Sequence, residues 1–262
     1  MPSDETAQFL AGSPDRRRLL DHLADHPGTP AALAETLPLS RRSVQRHLSQ
    51  FADRGWVEKD EGSYRLTVTG ELVVAEHAAY RERLDRIETF RPLFDELPDR
   101  AHAPDPRWLT GATLVTATST NPQAPVRAYA DAVRALETDH VRMLSPILSR
   151  SFHDAHARLA SAGVYTELVM DAATIKRASD LNPGEFEVIV GLDVLDLYRH
   201  PSPIQFGLTL GDERTVMGAY DEDGTLRACV TSANEAFRAW GDDLFDRYRD
   251  RAEPVDSAVP FR

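Results

Sequence analysis

Between Ser40 and Ala52 the chain carries Arg41, Arg42 and Arg46 together with Gln45, and no acidic residue. A guanidinium can fork onto guanine or clamp a phosphate, and a glutamine can pair with adenine. On a helical projection these side chains and Ser49 share one side. Val44, Leu48 and Phe51, at i, i+4 and i+7, share the other. Ser40 stands where an N-cap would, and Leu39 and Val44 have the spacing of a hydrophobic staple. The N-terminus of such a helix also offers N–H groups to an anion. The pattern predicts a rod that is buried along one side and presents Ser40, Arg41, Arg42, Ser43, Gln45 and Arg46 to a hydrogen-bonding, anionic partner.

Other residues that could do chemistry lack companions. His153 and His156 with Asp154, and the i, i+4 pair His22 and His26, have neither an H-E-x-x-H order nor a third ligand, so no metal site is predicted. No G-x-S-x-G, P-loop or G-x-G-x-x-G occurs. Neither lysine, Lys59 or Lys176, stands two residues after a histidine, as the His-x-Lys motif of a phospholipase-like transfer would need. The one cysteine, Cys229, sits in an apolar run and reads as a core residue, and a single cysteine excludes an internal disulfide framework. Catalysis is disfavoured, and no cofactor is implied.

The formal charge is −12, yet 28 of the 30 basic residues are arginine. An acidic, lysine-poor surface is the composition associated with proteins that work in molar salt in halophilic archaea. Acidity over the whole chain opposes general attraction to nucleic acid, so the local arginine patch decides. No apolar run reaches the length of a membrane span, and Met1-Pro2-Ser3-Asp4-Glu5 lacks a signal-peptide pattern. A soluble cytoplasmic protein is expected.

The elements around the arginine helix must hold it. Pro14-Asp15 opens a helix with Leu19, Leu20 and Leu23 on one side, and Pro27-Gly28 stops it. Thr29-Pro30 opens a second, with Leu33 and Leu37. After the arginine helix, Trp56–Lys59 and Ser63–Thr67 read as strands joined by Asp60-Glu61-Gly62. This order, with Gly55-Trp56-Val57 at the joint and Thr69-Gly70 after the hairpin, resembles the winged helix-turn-helix family over residues 13 to 70. The resemblance implies that the residues from Ser40 to Arg46 named above enter the major groove of double-stranded DNA, and that Lys59, Ser63 and Arg65 meet the backbone. The acidic, short wing turn departs from the family pattern and argues against minor-groove insertion.

Residues 70 to 97 read as one long helix, free of Gly and Pro from Glu71 until Pro92. Val73, Tyr80, Ile87 and Phe94 recur every seven residues with Leu84 on the same stripe, while His77 and Arg91 interrupt it. Such a stripe predicts a homodimer. Packing on the chain's own C-terminal domain is the alternative. A proline-bearing linker covers residues 98 to 108.

Beyond the linker, strand-like Ala112–Thr118, Val141–Leu144 and Val164–Met170 alternate with helical Asn121–Leu136 and Ser149–Ala162, which implies parallel pairing. Ile204–Leu210, Arg214–Tyr220 and Leu226–Thr231 then follow as an antiparallel meander before a helix near Asn234–Arg251. Phe206-Gly207-Leu208, the run Val216 to Asp221, Trp240-Gly241, Leu244-Phe245 and Tyr248-Arg249 resemble the effector domain of archaeal winged-helix regulators of the methanogenesis-regulator (filament regulator) type. In layout this is similar to the phospholipase D fold of some sugar-responsive regulators. The resemblance implies a sensing role without naming a ligand.

Open α/β sheets bind ligands at strand carboxyl ends. A small-molecule effector would then meet Ser119, Thr120, Asn121, Ser145 and Asp171, with Arg199 and His200 nearby. The expected fold is α/β overall. A winged helix-turn-helix (residues 1–70) is joined by a connector helix and linker (71–108) to an effector or dimerisation domain with a mixed sheet (109–262). The expected function is DNA-binding transcription regulation. The alternatives are a winged-helix protein-interaction module and a phospholipase D-like enzyme.

Overall fold

The computed structural model describes residues 2–147, 156, 158–181 and 193–255. The chain forms two compact units, Met1–Leu84 and Asp85–Arg262. The division falls inside a helix, α5.

The first unit contains α1 (Pro2–Ala11), α2 (Pro14–Asp25), α3 (Pro30–Thr36), α4 (Arg41–Asp53), β1 (Val57–Asp60), β2 (Ser63–Leu66) and most of α5 (Val68–Thr89). Each start has a local cause. Ser13, Thr29 and Ser40 cap α2, α3 and α4 by accepting from the N–H three residues on, at 3.3, 3.3 and 3.1 Å. Pro14 and Pro30 occupy first helical positions, where no N–H is missed. The strands pair antiparallel from Val57↔Leu66 to Asp60↔Ser63. The two turn residues, Glu61 (φ 46°) and Gly62 (φ 89°), are both left-handed, as a two-residue hairpin with matching twist requires. Gly28 bridges Tyr64 through N–H···O bonds of 3.1 and 2.9 Å, so the loop between α2 and α3 extends the hairpin. Leu19, Leu20, Leu23, Leu33, Val44, Leu48, Phe51, Trp56 and Leu66 form the core.

Two features differ from the expectation. Helix α1 precedes the region read as structured, and it packs Leu10 into the core and Phe9 edge-on to Phe51 and Trp56. The long helix ends at Thr89 rather than running to 97, and α6 (Arg91–Phe94) follows after Phe90, whose backbone (φ −94°, ψ 11°) leaves the helix. Pro92 has no N–H, and its ring would collide with the carbonyl four residues back, so the ladder cannot continue. The break lets Phe90 and Leu93 enter the core of the second unit.

That unit is built on an eight-stranded sheet ordered β10-β6-β5-β4-β7-β8-β9-β3. Its strands are β3 (Thr113–Thr116), β4 (His140–Leu144), β5 (Tyr165–Asp171), β6 (Leu195–His200), β7 (Phe206–Leu210), β8 (Thr215–Tyr220), β9 (Leu226–Ser232) and β10 (Glu253–Pro254). Pairing is parallel through β4, β5 and β6 and antiparallel elsewhere, so the sheet is mixed. Helix α7 (Ala124–Arg134) packs with Val141, Val216 and Cys229, while α9 (Glu235–Arg249) packs with Leu208, Phe206 and Leu144 in a separate core. Helix α8 (Ala172–Leu181) and strand β6 stand where no element was anticipated. The expected helix Ser149–Ala162 lies largely outside the described residues.

One contact couples the hairpin to α5. A Cβ on Gly70 would lie 2.0 Å from the Trp56 carbonyl oxygen, which accepts from Thr67 N–H at 2.9 Å. Gly70→Ala is therefore expected to destabilise the first unit by about 1–3 kcal/mol through overpacking, measured by denaturant unfolding; an unchanged midpoint would show that the helix can shift freely.

Candidate nucleic-acid interface

On α4 the division of faces is sharp. Val44, His47, Leu48 and Phe51 are buried, while Arg41, Arg42, Gln45, Arg46 and Ser49 are exposed and Ser43 is half-buried. Among the described residues, no hydrogen bond or ion pair engages the side chains of Arg41, Arg42, Gln45 or Arg46. Ser40 and Ser43 are joined Oγ to Oγ at 3.0 Å, so both hydroxyls are committed in part to the cap. The arrangement leaves three guanidinium groups and one carboxamide free on a single side of a rod.

The hairpin residues behave differently. Arg65 is paired to Glu58 across the strands at 2.7 Å, and Lys59 lies 5.8 Å from the Tyr64 ring centre. Ser63 is half-buried at the start of β2. Exposed Asp60 and Glu61 flank the turn, so the tip of the hairpin carries negative charge.

His47 went unremarked in the sequence pattern. It is 3% exposed, its Nδ1 lies 3.3 Å from Gln50 Oε1, and its Nε2 is buried with no hydrogen-bond partner. Burial holds its pKa below the usual histidine range, against the hydrogen bond to Gln50 and with help from Arg46 and Arg16. His77 on α5 is lowered for the same leading reason, burial. The signal available in the sequence was position: His47 is three residues after Val44 and four before Phe51, on the inward stripe.

In the second unit, β3 runs in the same direction as β4, so Ser119, Thr120 and Asn121 leave the sheet at the same edge as Ser145, Asp171 and His200. Strands β7, β8 and β9 stand between the two groups. At that edge lies a cavity of about 580 Å³, walled by Asp95–Pro98, Pro146, Ile147, Thr174, Arg177, Ile204 and the turn Asp221–Gly224. Ser145 precedes the lining residue Pro146, Asp171 bonds to the lining residues Thr174 and Ile204, and both are spent on internal bonds. Ser145 Oγ donates to Ile147 O at 2.6 Å; Asp171 accepts from Thr174 N and Ile204 N at 2.8 and 3.3 Å. Arg199 pairs with Glu253 at 2.8 Å, and His200 Nδ1 lies 3.2 Å from Ser202 N. Asn121 accepts from Arg127, and Asn121 N–H donates to Thr118 Oγ1 at 3.0 Å. His156 Nε2 lies 2.9 Å from the Tyr129 hydroxyl; His153 and Asp154 lie outside the described residues. No helix among the described residues is long and apolar enough to cross a membrane.

Comparison with known proteins gives two family matches. Residues 122–251 match the model described as methanogenesis regulatory protein FilR1, middle domain, and residues 4–89 match that described as HVO_A0261 N-terminal domain. The C-terminal segment is thus similar to a domain of a regulatory protein. No curated protein matches the chain significantly. Among solved structures the chain is similar to TrmBL2, an archaeal chromatin protein, at 14% identity, over 97% of this chain and 100% of that one, with a TM-score of 0.43. It is similar to Nuc, a phospholipase D family member from Salmonella typhimurium, at 13% identity over 55% and 98%, with a TM-score of 0.43. It is similar to ZitR of Lactococcus lactis at 22% identity over 33% and 63%, with a TM-score of 0.26.

Buried His47 and half-buried His77 both favour the neutral ring, which predicts that the first unit is sensitive to acid. Their lowered pKa values mean that the unfolded chain takes up protons first, so stability is full above the unfolded value of about 6.5 and is lost as pH falls through it. The melting temperature of this unit is expected to fall between pH 7.5 and 5.5, and His47→Gln is expected to flatten that fall. A melting temperature that rises on acidification would contradict the assignment.

Proposed function

We propose that this chain is a sequence-specific DNA-binding transcription regulator of archaeal type, reading double-stranded DNA with α4 and acting in the cytoplasm without catalysis. The observation that carries the reading is the exposed side of α4, where Arg41, Arg42, Gln45 and Arg46 stand unengaged in a chain of net charge −12. Unopposed cations in an anionic chain favour an anionic partner. A helix with its side chains is about 10–12 Å across, which suits a major groove about 12 Å wide, and the arginine and glutamine side chains of α4 match base edges as well as phosphate. The similarity of residues 122–251 to a regulatory protein's middle domain supports the same class.

The reading includes a dimer. Val73, His77, Tyr80, Leu84 and Ile87 follow one another along α5 at spacings of four and three. Tyr80, Leu84 and Ile87 are 57, 43 and 40% exposed. An apolar stripe of this period suits a second copy of the helix, and a two-fold dimer suits a two-fold DNA site. A small effector in the cavity beside Asp95–Pro98 would act on the segment that follows α5 and α6. The lysine-poor, acidic composition supports a host that works at high salt. There, phosphate attraction is weakened, and base contacts must carry more of the affinity.

Arg42→Ala and Arg46→Ala are each expected to cost about 1–3 kcal/mol of discrimination between a selected duplex and an unrelated one, with an unchanged circular dichroism spectrum. Binding curves that match the wild type in both variants would sink the reading. Light scattering at working salt is expected to give twice the chain mass, and Leu84→Glu the mass of one chain. A wild-type mass of one chain would remove the dimer.

A further inference from the structure

The corner between α1 and α2 gathers more positive charge than its packing needs. Arg16, on the first turn of α2, places its guanidinium carbon 3.9 Å from the Phe9 ring centre, and Arg54, at the end of α4, lies 3.8 Å from the same centre. Arg16 Nη1 donates to Phe9 O at 2.6 Å, and its Nε is buried with no acceptor. Of the carboxylates nearby, Glu5 pairs with Arg54 at 3.3 Å and Asp15 with Arg18 at 3.6 Å. Among the described residues, no carboxylate pairs with Arg16 or Arg46. Burial holds the pKa of Arg16 below the usual arginine value, and the charges of Arg54 and Arg46 lower it further. Anchoring of α1 does not rest on Arg16 and Arg54 alone. Arg17 alone reaches two carbonyls at the end of α1, Leu10 O at 3.0 Å and Ala11 O at 2.9 Å.

We infer that Arg16 is a phosphate-binding residue, which extends the DNA contact from α4 onto the α1–α2 corner. The inference rests on the DNA-binding reading above. A backbone phosphate there would accept from the unengaged guanidinium N–H groups, in the short charge-assisted geometry that guanidinium and phosphate favour. It would also neutralise repulsion that the free protein bears. The phosphates flanking a major groove lie beside a helix seated in it, within reach of a neighbouring helix. The contact is blind to sequence, unlike those proposed for Arg42 and Gln45.

The test compares Arg16→Ala, Arg16→Lys and Arg17→Ala with wild type on two duplexes, one selected from a random pool and one of unrelated mixed sequence, across salt. Arg16→Ala is expected to weaken binding to both duplexes by the same factor and to reduce the slope of log affinity against log salt by about 0.9, the value of one phosphate. The wild-type advantage then shrinks about threefold between roughly 50 and 200 mM salt. Arg16→Lys is expected to recover the slope, and Arg17→Ala, which loosens α1 without touching the charge cluster, to leave it unchanged. A wild-type slope in Arg16→Ala overturns the inference, as does an equal loss in Arg17→Ala, which would assign the effect to helix anchoring. A wild-type chain that binds neither duplex sinks the DNA reading itself, and the contact with it.

Discussion

The first unit depends on the burial of one side of α4. Val44, Leu48 and Phe51 are each fully buried, and together they contribute on the order of several kcal/mol by removal of apolar surface from water. That burial fixes the rotation of the helix about its own axis. Turned to present its opposite side, the helix would bring Arg42 and Arg46 into an apolar core at a cost no contact there could offset. The free cations are therefore a consequence of the apolar contacts behind them. The joint after α4 holds the same setting. Trp56 packs on Phe51, its carbonyl accepts from Thr67, and Thr67 Oγ1 donates to Gly55 O at 2.6 Å and accepts from Gly70 N at 3.1 Å. The hairpin, α4 and the first turn of α5 are thus tied at one point.

Charge distribution follows a related logic. Exposed arginines elsewhere tend to meet carboxylates: Arg107 with Asp105, Arg134 with Asp131, Arg142 with Asp242, Arg199 with Glu253. Surface pairs of this kind add little stability. Arg41, Arg42 and Arg46 have no such partner among the described residues, and they stand within six positions of one helix in a chain that as a whole is acidic. Composition alone therefore does not describe the local charge on α4, which depends on where each arginine stands.

The elements that were legible are those whose own residues determine them. The three helices from Pro14 to Asp53 announce themselves by caps, prolines and apolar spacing, and the hairpin by its alternation and its Glu61-Gly62 turn. Helix α1 was not legible, because its hold on the unit comes from residues distant in sequence: Phe9 between Arg16 and Arg54, and two carbonyls taken by Arg17. The end of α5 was misplaced for a comparable reason. Pro92 marked a break somewhere, but the demand of the second unit's core for Phe90 and Leu93 decided where. Strand β6 alternates Leu195, Leu197 with Asp196 and Arg199, a pattern open to reading, yet its place between β5 and β10 depends on the sheet. At the candidate ligand edge, direction was legible and occupancy was not. Strand order puts three antiparallel strands between Ser119 and Ser145, and no local pattern encodes strand order.

The segment after α5 is held at two points within the second unit. Phe90 and Leu93 are sunk in its main core, and a few residues later Asp99 Oδ1 lies 2.7 Å from His102 Nδ1, whose Nε2 lies 2.9 Å from the Tyr248 hydroxyl on α9. Tyr248 in turn packs against His200 at the end of β6 and against Phe206 on β7. Between these two anchors runs Asp95–Pro98, one wall of the cavity. A wall pinned at both ends cannot yield to an occupant by drifting away; it passes displacement to the pins. The nearer pin is the chain that continues directly from α6 and the last turn of α5.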